Sequence, residues 1–334
     1  MLASDESDGK LVTVLPTMMR VFARTINHIF VGLPVCRNED YLDLVVQYTV
    51  DVAVRAQLIC FFPSFIRPIV GPLLSSRNKS IRRGLKHLGP LIEHRIAQAK
   101  QHGADWPGKP NDYISWLLES ADAPAEGTVP DTVSRILAMN LAGLHTSSAV
   151  LTYALFDLTT YPGYIAVLRA EAERIDSFLR ESQRMHDNGP LVVTRTVLDP
   201  TGFRFSDGTV VPCGSTLQIA SRAEHFSPSN YENPDVFDGF RFSRMREDRQ
   251  LRASAGVFNK HMISTSANHL AFGHKLHACP GRFLAVTELK AMLAHLVMHY
   301  DLCAEVEGVR PPDDAFGIVV VPNRRGRIWF RKRV

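Results

Sequence analysis

A chain of 334 residues, 45% hydrophobic and 22% charged, has the composition of an ordinary soluble globular enzyme and ample length for a buried core. Its formal net charge of +4 is mild, and basic and aromatic residues are not interleaved as in single-strand binders, so nothing argues for nucleic acid. Five scattered cysteines without a C-x-x-C exclude a disulfide framework or structural zinc site and fit a reducing compartment. The start, Met1 to Lys10, is polar and acidic and carries no secretory signal.

The spacing of Val12, Leu15, Met19, Val21, Phe22 and Ile26 predicts a helix within Leu11 to Val31, becoming regular near Pro16 and ended by Gly32-Leu33-Pro34. Asn38 caps the next helix, which runs through Leu42, Val45, Val46 and Val50. Leu58 to Leu74 is the nearest thing to a membrane span, but Pro63, Arg67, Pro68 and Pro72 break it. Its phenylalanines, Phe61, Phe62 and Phe65, read equally as a core loop or as a surface that dips into a membrane interface. A basic helix from Ser80 to Gln101 follows, then a short helix from Asp112 to Leu118 capped by Asn111.

The longest helical run extends from Val133 to about Tyr161, ended by Pro162-Gly163. Its middle contains Gly143, and Ala142, Thr146, Ala149 and Val150 share one small face, which fits either close packing against another helix or a groove with room for a ligand, with His145 and Thr146 at its edge. Helices over Tyr164–Arg174 and Ile175–Met185 come next, the second carrying Glu181-x-x-Arg184; taken alone, that pair reads as a solvated i, i+3 ion pair. From Leu191 the period changes to a strand, then a hairpin of Phe203–Phe205 and Val210–Pro212 around Asp207-Gly208. Asn233 to Phe242 is a loop of turn formers in which Arg241, between two phenylalanines, is placed as a tether. Strands at Ile318–Val321 and Arg327–Phe330 close the chain.

Phe272-Gly273-His274-Lys275-Leu276-His277-Ala278-Cys279-Pro280-Gly281-Arg282-Phe283 precedes an apolar helix through Leu289, Leu293 and Leu296. With Pro280 at the first helical position, Cys279 faces unpaired N–H groups and the positive end of the helix, which favours a thiolate. Such a cysteine is a metal ligand, a nucleophile or a buried structural residue, and the loop alone does not choose.

In this order, a small-residue helix with Thr146, Glu181-x-x-Arg184, Phe240-Arg241-Phe242 and the Cys279 loop, the chain resembles the cytochrome P450 family of haem-thiolate monooxygenases, from about Leu11 to Val321. Phe30 to Glu39 resembles fungal secondary-metabolite members, some of which oxidise diterpenoids. The resemblance implies a mainly α fold with minor β, one P450-like domain over residues 1–334, without the family's N-terminal anchor and haem-covering part. It makes Cys279 the axial ligand of haem b iron, packs Phe272 beside it, and gives His277 and Arg195 to the haem propionates. Thr146 and His145 would deliver protons during oxygen activation, with Ala142 and Gly143 leaving room, and Glu181, Arg184 and Arg241 would form a buried ionic network. Leu191–Val193 and Phe316–Val319 would supply apolar pocket walls.

Implied partners are an NADPH-cytochrome P450 reductase that passes electrons from NADPH, a hydrophobic small-molecule substrate, and a peripheral membrane contact. The implied location is the cytoplasmic face of the endoplasmic reticulum, or the cytoplasm for a chain without an anchor. One departure stands inside the cysteine loop: Lys275 occupies a position where the family has glycine, used for its backbone freedom. A catalytically inactive remnant is the alternative function. A cysteine hydrolase is the weakest reading, since it leaves Glu181, Arg184 and Arg241 without a purpose.

Overall fold

The computed structural model describes residues 9–103, 105–121, 126–171, 173–186, 190–247, 260–316 and 319–333. Helices dominate, and the chain divides into two compact units: Pro16 to Ser148, and the N-terminal strand together with the chain from Ala149 onward.

In the first unit, α1 (Val14–Phe30) follows a strand, β1 (Lys10–Thr13), so Leu11, Val12 and Thr13 are extended rather than helical. The reason is tertiary: β1 belongs with the chain from Ala149 onward and pairs there with β9 (Arg327–Lys332), an edge the local pattern cannot reveal. Asn38 caps α2 (Glu39–Cys60) by accepting from the Tyr41 N–H at 3.0 Å. Asn27 of α1, Tyr41 of α2 and Asn140 of α6 (Val129–Thr160) share a buried hydrogen-bonded cluster. The basic helix, α4 (Arg77–His102), begins before Ser80. The cap of α5 (Tyr113–Glu119) is Asp112, whose side chain accepts from Ser115 N–H; Asn111 instead accepts from the Trp116 indole.

The core-loop reading of the phenylalanine segment fails. Between α2 and α4 the chain forms α3 (Arg67–Leu74), and Phe61 and Phe65 are 73% and 77% exposed, with Ile69 and Leu73 also open to solvent. No helix among the described residues is long and apolar enough to cross a membrane.

In the second unit, β6 (Tyr300–Ala304), β9 and β1 form an antiparallel sheet in the order β1-β9-β6, and alternation along β9 buries Ile328 and Phe330. β2 (Val192–Thr196) pairs with β5 (Thr216–Ile219), β3 (Phe203–Arg204) with β4 (Val210–Val211), and β7 (Asp314–Phe316) with β8 (Val319–Val321). Ile318 lies outside the described residues. Helix α7 (Gly163–Ala170) precedes α8 (Glu173–Met185), from which every residue between Ile175 and Arg184 is buried. Around α8 stand α9 (Ser221–His225), α10 (Arg241–Glu247) and α11 (Arg282–His299). Gly239 is required where the chain meets α8, because a Cβ there would lie 2.7 Å from the Phe178 ring.

Candidate functional site

Burial turns Glu181-x-x-Arg184 from the solvated pair expected locally into an interior one, since both side chains have no solvent exposure. Arg184 donates through Nε and Nη2 to the two Glu181 carboxylate oxygens, each at 2.8 Å, the planar fork that arginine presents to a carboxylate. Its remaining Nη1 donates to the His225 carbonyl at 2.6 Å. Arg241, the first residue of α10 rather than a loop residue, donates through Nε to Glu181 Oε1 at 3.0 Å. The other arms of Arg241 hold the carbonyls of Glu232, Asn233 and Val236, so one guanidinium closes the preceding loop onto α8. The structure thus brings Glu181, Arg184 and Arg241 together.

Next to this set lie three groups the motif does not contain. Arg180 is buried, stacks over the Phe242 ring and donates to the His261 carbonyl; burial pushes its guanidinium down to about 10. His225 accepts the Leu270 N–H at 2.9 Å, and burial followed by the Arg184 charge lowers its imidazole to about 4. His269, fully buried, is held well below its usual value by burial and by Arg180. Both histidines are held neutral; His269 belongs to the segment leading to Cys279, and its ring lies 5.3 Å from that of His225. No local pattern in the sequence marks them.

The cysteine loop is closed by the Cys279 N–H donating to the Phe272 carbonyl at 2.7 Å. Two residues bend it: Gly273 at φ +68° and Lys275 at φ +54°, the latter starting a short 3-10 turn, Lys275–His277. Lys275 therefore adopts the left-handed conformation that glycine takes freely. Pro280 does not open the helix. It sits in the turn before α11, with Gly281 as N-cap, and the Arg282 guanidinium donates to the Cys279 carbonyl at 2.9 Å. Cys279 is half-buried and a free thiol, and among the described residues no histidine nitrogen is hydrogen-bonded to its sulfur. Phe272 is half-buried in the same loop, and His277 is exposed.

Arg195 lies exposed on β2 and donates to the Thr194 carbonyl. In the first unit, Ala142 and Thr146 share an open face of α6, and the Thr146 hydroxyl donates to the Ala142 carbonyl at 3.0 Å. Gly143 is turned towards α1: a Cβ there would approach Ile26 to 3.3 Å, so the glycine serves close helix packing. His145 is half-buried between these faces. Leu191 and Phe316, expected in apolar pocket walls, precede β2 and end β7, while Gly317 and Ile318 lie outside the described residues.

The family model described as Cytochrome P450 matches residues 2–329. The chain belongs to the cytochrome P450 family. Among curated relatives, cytochrome P450 monooxygenase 103 of Postia placenta is 36% identical over 96% of this chain and 66% of its own length. Monooxygenase 151 of the same organism is 38% identical, over 95% and 66%, and CYP512U6 of Ganoderma lucidum 33% identical, over 99% and 67%. The chain thus spans about two thirds of the length of the curated relatives it matches. The fold is that of solved P450 structures: retinoic acid bound cyanobacterial CYP120A1 superposes with a TM-score of 0.72 at 18% identity, covering 99% of this chain and 71% of that one. The cytochrome P450DA heme domain gives 0.67 at 18% identity, over 98% and 70%.

The P450 family implies haem, and the residues present fit it. The Cys279 thiol is unencumbered, and at Gly281 the absent Cβ position is 3.9 Å from its sulfur, leaving that side bare of any side chain. Phe283, next to the cysteine turn, leaves apolar ring surface 54% exposed, and His277 and Arg195 supply cationic or donating heads suited to carboxylates.

Proposed function

We propose that this chain is a haem-thiolate monooxygenase that oxidises a hydrophobic secondary metabolite, such as a terpenoid, by hydroxylation, epoxidation or desaturation. The observation that carries the reading is the free Cys279 thiol on a loop closed by its own N–H, in a chain that also holds the buried Glu181–Arg184–Arg241 set. Haem b, when bound through a cysteine thiolate, supplies oxygen activation by pushing electron density towards O–O cleavage. The chain's residues do the rest. Cys279 provides the thiolate, Phe272 packs at its loop, and His277 and Arg195 pair with the propionates.

Thr146 Oγ1, oriented by its bond to the Ala142 carbonyl, passes protons, with the His145 imidazole beside it as the titratable group. Ala142 and Gly143 keep that part of α6 narrow. Electrons come from NADPH through a P450 reductase that docks on the basic face near Cys279, the exposed Lys275 included. The whole of residues 1–334 acts as one P450-like domain, and the exposed Phe61, Phe65, Ile69 and Leu73 rest on the cytoplasmic face of the endoplasmic reticulum as a peripheral contact.

The test is the ferrous carbon monoxide spectrum of the chain expressed with haem supply. A strongly red-shifted Soret band that Cys279→Ala abolishes is expected; soluble, haem-loaded protein without that band makes the chain an inactive remnant. For the membrane contact, a Phe61/Phe62/Phe65 triple serine variant should float less with liposomes than the parent chain, and equal flotation rejects the contact.

A further inference from the structure

Among the described residues, the bonds of Glu181, Arg184 and Arg241 end on α8, on His225 and on the segment from Glu232 to Asp238; none reaches α11, the helix that follows the cysteine. A different carboxylate does. Asp176 stands five residues before Glu181 on α8 and is buried. It accepts from Arg246 Nη1 of α10 at 3.1 Å, from the Met262 N–H at 3.1 Å and from Lys290 Nζ of α11 at 3.4 Å, with His261 Nδ1 at 3.5 Å. The next residue, Ile263, gives its carbonyl to Arg282 Nε at 3.2 Å, and Arg282 Nη1 holds the Cys279 carbonyl at 2.9 Å.

We propose that Asp176 and Arg282 are positioning residues for the Cys279 thiolate, joined through the Met262–Ile263 backbone into one relay from α8 to the cysteine carbonyl. The proposal rests on the reading of Cys279 as the thiolate ligand of haem. Two physical features favour a positioning role over simple packing. First, Asp176 is one buried carboxylate facing two permanent cations, Arg246 and Lys290, so loss of its charge leaves these to repel one another across three elements. Second, Arg282 grips two carbonyls with one planar fork, Ile263 on one side of the loop and Cys279 on the other, which fixes their separation as a lysine cannot. The chain between them, from Ile263 to Cys279, is held in its middle by the Tyr231 hydroxyl donating to the Asn268 carbonyl and by the Leu270 N–H donating to His225. Beyond those ties come the left-handed residues Gly273 and Lys275, so the Arg282 fork is what returns the cysteine end to Ile263.

The experiment compares the full chain with Asp176→Asn, Asp176→Glu and Arg282→Lys, and with Leu302→Ala, a core change in β6 that lowers stability without touching the relay. In haem-loaded protein, Asp176→Asn and Arg282→Lys are expected to weaken haem retention about tenfold and to shift the ferrous carbon monoxide band from the red-shifted to the short-wavelength form. Asp176→Glu should recover much of the red-shifted band, and Leu302→Ala should keep it. In haem-free protein, alkylation of the Cys279 sulfur, followed by peptide mass spectrometry, should run about fivefold faster in Asp176→Asn than in the parent or in Leu302→Ala. Parent-like spectra and alkylation in Asp176→Asn overturn the relay, as does an equal loss in Leu302→Ala. A parent chain without the red-shifted band overturns the haem-thiolate reading instead, and the alkylation rates still decide the relay.

Discussion

Lys275 holds φ +54° in the loop that carries Cys279, a conformation that costs an L-residue roughly 1–2 kcal/mol relative to glycine. Glycine returns part of that gain, because it adds freedom to the unfolded chain, about 0.4–1 kcal/mol. Lys275→Gly is therefore expected to stabilise the protein by about 0.5–1 kcal/mol in urea denaturation and to raise haem occupancy. A less stable variant would mean that the lysine side chain makes a compensating contact. The departure was visible in the sequence, since lysine stands where a glycine serves a turn. Its consequence was not: a relaxed loop and a strained one have the same residues, and only the backbone angle separates them. Cys279 itself was legible as a reactive site, but its partial burial came from tertiary geometry.

Helix α8 shows why an element can mislead. Its sequence, Glu-Arg-Ile-Asp-Ser-Phe-Leu-Arg-Glu-Ser-Gln-Arg-Met, is polar enough to read as a surface helix, yet its residues from Ile175 to Arg184 are enclosed on all sides. Charge is tolerated there because each group has partners: Glu181 has Arg184, Arg241 and the Asp238 N–H, and Asp176 has Arg246, Lys290 and the Met262 N–H. Glu181→Gln leaves two buried guanidinium groups without their carboxylate and should cost about 3–5 kcal/mol, read as a lower denaturation midpoint with an unchanged slope. A loss below about 1 kcal/mol would mean the pair is solvated, as the local pattern alone suggested. Between α2 and α4, an apolar, proline-broken stretch reads equally as core or as surface. The structure leaves Phe61 and Phe65 outside, because the prolines stop the segment from joining either long helix.

At the scale of the whole molecule, two buried neutral histidines govern acid stability. His225 has a folded value of about 4 against an unfolded value near 6.5, and His269 is likewise held well below that value by burial. The unfolded chain takes up protons first as pH falls, so stability is complete above about pH 6.5 and is lost towards pH 4, by about 3 kcal/mol for His225 alone. Thermal melts from pH 7 to pH 4.5 should show this decline, and His225→Gln, whose amide oxygen can accept the Leu270 N–H without titrating, should flatten it. A profile unchanged by that substitution would assign the acid loss to other groups.

By itself the sequence determined the helix-rich class, the family resemblance, the cysteine loop and the i, i+3 pair. These are local patterns: spacing along one helix, or a run of neighbours in one turn. The tertiary structure decided which charges are buried, which glycine packs against a helix, where the phenylalanines point and how Asp176 and Arg282 reach the cysteine. Those depend on contacts between residues far apart in the chain, and burial, which sets the energy of every charged group, exists only once such contacts form.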